Sequence, residues 1–151
     1  MILLEENFNL VTNDHRTHKK IEFDLPPDIK RLEIHFSFQP GVVEDRDLLI
    51  RKIEEEMDFF SPAKRVLLGK ALLTGGVRLT NMISVTLKSP VAFLGCAHRH
   101  SENHHIIISQ NYASPGFIHN PPIPGKWDLV LSMSSLYQTA KANLRIEGIA
   151  I

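Results

Sequence analysis

Four of the eight histidines, His98, His100, His104 and His105, fall within eight residues, and His119 follows in a proline-rich loop. Imidazoles at that density can ligate Zn²⁺ as neutral donors or carry protons near neutral pH. In an extended segment His98 and His100 share one face, and a turn would let His104 or Glu102 complete a set of ligands. No H-E-x-x-H motif or cysteine pair frames the cluster, and no acid or nucleophile is tied to it by a motif. The same residues therefore fit either a Zn²⁺ site built from His98, His100 and His104 or a solvated polar hairpin with no metal. Cys96, the one cysteine, sits between Gly95 and Ala97. It is expected as a buried thiol, because nothing nearby in sequence lowers its pKa.

These residues must be positioned by short elements. Ile21, Phe23 and Leu25 alternate with Glu22 and Asp24 before Pro26-Pro27-Asp28 breaks the run. Leu32, Ile34, Phe36 and Phe38 then alternate with Glu33, His35, Ser37 and Gln39, the clearest half-buried strand in the chain, with His35 on its solvent face. Leu49, Ile53, Met57 and Phe60 change to helical spacing behind Glu44, Asp45 and Asp47, where a helix N-terminus favours negative charge. Ser61-Pro62 reads as the cap and first turn of a second helical segment reaching Leu73, stopped by Gly75-Gly76. This helical insert, at about 43–74, is expected to close one end of the core.

Strand periodicity resumes with Ile83, Val85 and Leu87, then Phe93-Leu94, then Ile106 to Ile108, and closes with Leu144, Ile146 and Ile149. Phe8 and Leu10 suit an opening strand, the run His15 to Lys20 a solvated loop, and Ser132 to Thr139 a polar turn region. Four of the nine prolines, Pro115, Pro121, Pro122 and Pro124, lie in one loop that no helix or central strand can cross. After Gly125, Trp127, Leu129 and Leu131 alternate with Lys126, Asp128 and Val130, so the single tryptophan enters a strand and centres a core. The whole reads as one domain, an all-β antiparallel sandwich of jelly-roll type with one or two inserted helices.

Ser114-Pro115-Gly116-Phe117 with Pro122-Ile123-Pro124-Gly125-Lys126-Trp127 resembles a segment of the β-sandwich domain that precedes the catalytic domain in CehA/McbA-type metallohydrolases of the PHP family. Ile21 to Gly41 and Asn81 to Arg99 resemble further runs of that domain, so the likeness covers most of the chain outside Val43 to Val77. Asn120-Pro121 and Ser89-Pro90-Val91 depart from the family's loops. The resemblance gives Trp127, Pro115, Gly116 and Gly125 structural roles and implies a buried Arg99 that ties proline-loop carbonyls to a neighbouring strand. It also implies the accessory domain without its enzyme, since the family's catalytic metals are held in the PHP domain that follows the sandwich.

The expected function is a non-catalytic interaction or substrate-presenting module, without a cofactor. Its loops around Gly95–Asn103 and Ser114–Gly125 would bind through Arg99, Tyr112 and His119, assisted by sheet-edge association. A separately encoded hydrolase or a second copy of the chain is the expected partner. The alternative is a small Zn²⁺ protein or metal-dependent hydrolase using His98 to His105. Carbohydrate binding is disfavoured because only Tyr112 and Tyr137 accompany Trp127. Equal basic and acidic totals give no drive toward nucleic acid or an anionic membrane. A single cysteine and an opening segment lacking a basic start or cleavage site suggest a cytoplasmic protein.

Overall fold

A computed structural model describes Met1–Ile151. Eight strands, β1 (Ile2–Leu10), β2 (His18–Leu25), β3 (Arg31–Gln39), β4 (Met82–Lys88), β5 (Phe93–Ala97), β6 (Asn103–Ser109), β7 (Gly125–Ser135) and β8 (Ala140–Ile149), are interrupted between β3 and β4 by helices α1 (Arg46–Glu56) and α2 (Pro62–Thr74). The first sheet runs β1-β8-β3-β6 and the second β2-β7-β4-β5, with every pair antiparallel. First pairs with last, second with seventh, third with sixth and fourth with fifth, as if one long hairpin had been rolled onto itself. That nesting is the jelly roll anticipated from the strand periodicity.

The core follows from the alternation. Leu32, Ile34, Phe36 and Phe38 of β3 face Trp127, Leu129, Leu131 and Met133 of β7 and their neighbours across one continuous apolar interior. Trp127 is fully buried, and its indole N–H donates to the Ile123 carbonyl at 2.8 Å, which ties the proline loop to the core. Three boundaries differ from expectation, the first being that His18–Lys20 open β2 where a solvated loop was expected. Ser132–Ser135 continue β7 instead of turning, because Met133 keeps the inward period. His104 and His105 lie within β6, where His104, Ile106 and Ile108 form the buried phase of a strand in place of a polar hairpin.

The proline-loop stretch from Ala113 to Ile118 closes one open side of the sandwich. Ser114 N–H donates to the Ile107 carbonyl at 3.0 Å, and the Ser114 hydroxyl accepts from Ile107 N–H at 2.9 Å, on the β6 edge. Cys96 N–H donates to Gly116 O at 3.1 Å and Ile118 N–H to Leu94 O at 2.7 Å on the β5 edge. One segment thus occupies the outer edge of both sheets, where free ladder groups would otherwise invite another strand. The fit needs glycine: a Cβ on Gly95 would lie 2.1 Å from Gly116 O, and one on Gly116 would lie 2.6 Å from Cys96 O, with φ of 141° and 93° respectively.

Asn81 ties the insert's return to the sandwich. Its side-chain amide donates to Pro40 O and Gln138 O, each at 2.9 Å, and its oxygen accepts from Tyr137 and Gln138 N–H at 2.8 and 3.2 Å. All of its donor and acceptor capacity is used, which makes burial of the group tolerable. Asp45 and Ser61 cap α1 and α2 as their residue types predict, and Gly75, with φ 74°, ends α2.

Gly95→Ala is expected to lower stability by about 3 kcal/mol or more, a melting-temperature loss of roughly 6–12 °C for a chain of this length. Gly69→Ala lies inside α2 with open space around its Cα. It is expected to leave that temperature unchanged or raise it, by roughly 0.5–1 kcal/mol at most. Thermal unfolding followed by circular dichroism checks both.

Candidate functional site

The histidine segment is split by the end of β5 and the start of β6. His98, Arg99 and His100 follow Ala97 outside regular structure and are exposed. The Ser84 hydroxyl hydrogen-bonds Nδ1 of His98, and the Thr80 hydroxyl lies 3.3 Å from Nδ1 of His100. His104 points the other way, into the sandwich, with its ring centroid 6.0 Å from that of Phe36 directly across the β3–β6 ladder. The expected donor set of His98, His100 and His104 is therefore not assembled. Two of its members lie on an exposed loop and the third sits in the core, because strand alternation outranks proximity in sequence.

No hydrogen bond of ordinary geometry reaches either ring nitrogen of His104. Burial holds its pKa below the usual imidazole range, and the Arg99 charge pushes the same way against a weaker opposing pull from the Ser101 backbone. His15 is also lowered, by desolvation first and then by Arg16 and Lys52. Its Nδ1 accepts from Leu136 N–H at 2.9 Å, a bond that only an unprotonated Nδ1 can accept. The segment expected as a solvated basic loop thus turns one histidine inward as a cap.

The other anticipated residues are exposed and dispersed. Arg99 is exposed where a buried guanidinium was expected, and it ties one loop carbonyl, donating to Pro115 O at 2.8 Å. Tyr112 stands in solvent next to the loop, and His119 lies 3.0 Å through Nδ1 from Gln110 O. Cys96 is half-buried, not enclosed. The loop end does contain an open polar pocket of about 220 Å³ lined by Gly41, Thr80, Asn81, His100 and Glu102, in which the Glu102 carboxylate accepts from Gly41 N–H at 2.9 Å.

A second group of donors assembles on the outer face of the first sheet. His35 of β3 and His105 of β6 are direct cross-strand partners whose rings stack at 4.1 Å. Oε2 of Glu33 lies 3.3 Å from Nε2 of His105 and 3.7 Å from Nε2 of His35, while Arg31 Nε holds Oε1 at 2.8 Å. Farther across the sheet Arg145 pairs with Glu147 and Glu5. Alternation put Glu33 and His35 on one face, but the register that brings His105 opposite them is set by β3–β6 pairing, which periodicity does not reveal.

The helical insert supplies the third feature. From α1, Leu49 and Ile53 pack with Val43 in a small cluster, and Leu72 of α2 covers it. Leu68 lines a crevice of about 340 Å³ with Ile53, Phe60, Val77, Leu79 and Tyr137. On the opposite side of α2, Val66, Leu67 and Leu73 are 58, 66 and 86 % exposed. No residue of α2 is buried, and Leu49 and Ile53 of α1 form a cluster separate from the sandwich interior, so the insert builds a small core of its own where it was expected to close the main one. No protein-family model and no curated protein matches this chain. No helix is long and apolar enough to cross a membrane.

Both lowered histidines bind protons more readily in the unfolded chain, whose imidazole pKa is about 6.5. Stability is therefore full above that value and is lost as pH falls through it toward the folded pKa values. The urea midpoint is expected to be lower at pH 5.0 than at pH 7.5. His104→Leu, which removes two unsatisfied ring nitrogens costing roughly 1–3 kcal/mol, is expected to raise the acid midpoint and narrow the gap. An equal gap in wild type and variant contradicts this assignment.

Proposed function

We propose that this chain is an accessory interaction module, of the kind implied by its resemblance to the sandwich domain of CehA/McbA-type PHP proteins, and that it works by self-association through α2. The observation that carries the proposal is that α2 leaves a group of large apolar side chains in solvent on the side turned away from α1. Leu68 and Leu72 face inward while Val66, Leu67 and Leu73 face solvent. Apolar side chains grouped on an exposed helix face are the kind of surface that association covers.

Charge supports a second copy of the chain as the cover. α2 carries Lys64, Arg65 and Lys70 and no acid, whereas α1 ends in Glu54-Glu55-Glu56 and is followed by Asp58. In a two-fold arrangement the basic helix of each copy would meet the acidic end of α1 in the other, around a shared apolar centre. The loops first expected to bind are less suited to it, because the backbone of Ser114 to Ile118 is already committed to the edges of β5 and β6.

Sedimentation velocity across a concentration series is expected to show a monomer–dimer equilibrium, and Leu67→Asp is expected to leave only monomer with the thermal midpoint of the sandwich unchanged. A monomer at every concentration overturns the proposal. A dimer that survives Leu67→Asp overturns it as well and places association elsewhere.

A further inference from the structure

We propose that Glu33, His35 and His105 form a binding site for one divalent first-row cation of the zinc class on the outer face of the first sheet. The donor set is two imidazoles and one carboxylate, a combination that suits Zn²⁺ and leaves a fourth position open to water or a ligand. Ligands at ~2.0–2.2 Å in a tetrahedron stand about 3.3–3.5 Å apart. Oε2 of Glu33 lies 3.3 Å from His105 Nε2 and 3.7 Å from His35 Nε2, and the three ligand atoms all fall within 4.8 Å of one another. Small side-chain rotations on an open face bring them to bonding distance of one ion.

The surroundings are arranged for that role. Glu33 is the most enclosed donor: its side chain is 15 % exposed and Arg31 holds the other oxygen, as an outer partner orients a ligating carboxylate. Arg145, the cross-strand neighbour of His35, is the other nearby cation. Its charge is offset by Glu147 and Glu5, so it does not stand unpaired against an incoming ion. A purely hydrogen-bonded triad explains less. At 3.7 Å the His35 contact is beyond hydrogen-bond reach, so of the two stacked rings only His105 bonds Glu33.

The test uses the full chain, freed of metal by chelator and dialysis, titrated with Zn²⁺ alone in a calorimeter at pH 7.5. One Zn²⁺ per chain is expected. His35→Ala, His105→Ala and Glu33→Gln should each weaken binding at least about tenfold, whereas the His98→Ala/His100→Ala double variant should bind like wild type. In the unmodified protein, nitrogen resonances of the His35 and His105 rings should move with Zn²⁺ while those of His98 and His100 stay, a readout independent of any variant's folding. Absence of stoichiometric binding, binding that survives loss of His35 and His105, or binding lost with His98 and His100 overturns the assignment.

Discussion

Everything in this fold depends on how one segment closes the side of the sandwich where β5 and β6 end their sheets. Two rolled four-stranded sheets leave outer edges whose amides and carbonyls need partners. Ala113 to Ile118 satisfies both edges at once, through Ser114 on Ile107 and through Gly116 and Ile118 on Cys96 and Leu94. The approach is close enough that Gly95 and Gly116 leave no room for a side chain. Trp127 then locks the far end of the loop by its bond to Ile123. The loop that looked most available for binding has its first part, Ala113 to Ile118, committed by its backbone to both sheet edges.

The features on which binding is proposed lie in two other places. The outer face of the first sheet is polar and half-exposed, so it can hold charged groups in register without disturbing the core, and the row His105, His35, Arg145 and Glu5 crosses all four strands. The insert is the only element not required by the rolled hairpin. Its first helix buries Leu49 and Ile53, and its second packs Leu72 against them with no residue fully buried. Asn81 fixes where the insert rejoins the sheet, so α2 is held in place at its base while its outer side stays uncovered.

The strands were largely legible because burial on one face writes a two-residue period into the sequence, as in Leu32 to Phe38 and Trp127 to Met133. The cap Ser61, the stop at Gly75 and the acidic start of α1 were legible for an equally local reason, although which of the acids caps α1 was not. The site was not. His98 to His105 look like neighbours only along the chain; strand alternation sends His104 into the core and His105 to the opposite face. What joins His105 to Glu33 and His35 is a contact between strands about seventy residues apart, fixed by register that no local pattern encodes. Arg99 was misplaced for a related reason: it does reach the proline loop, but from solvent, since the seam is made by backbone and needs no buried guanidinium.

Native-state hydrogen exchange resolved by residue tests most directly whether the proline-loop segment is a structural seam and α2 an exposed surface element. The amides of Cys96, Ser114 and Ile118 should exchange as slowly as those of the central strands β3 and β7, and the amides of α2 should be among the fastest in regular structure in dilute protein. Seam amides exchanging at the rate of an open loop, with α2 protected in the monomer, would contradict the account.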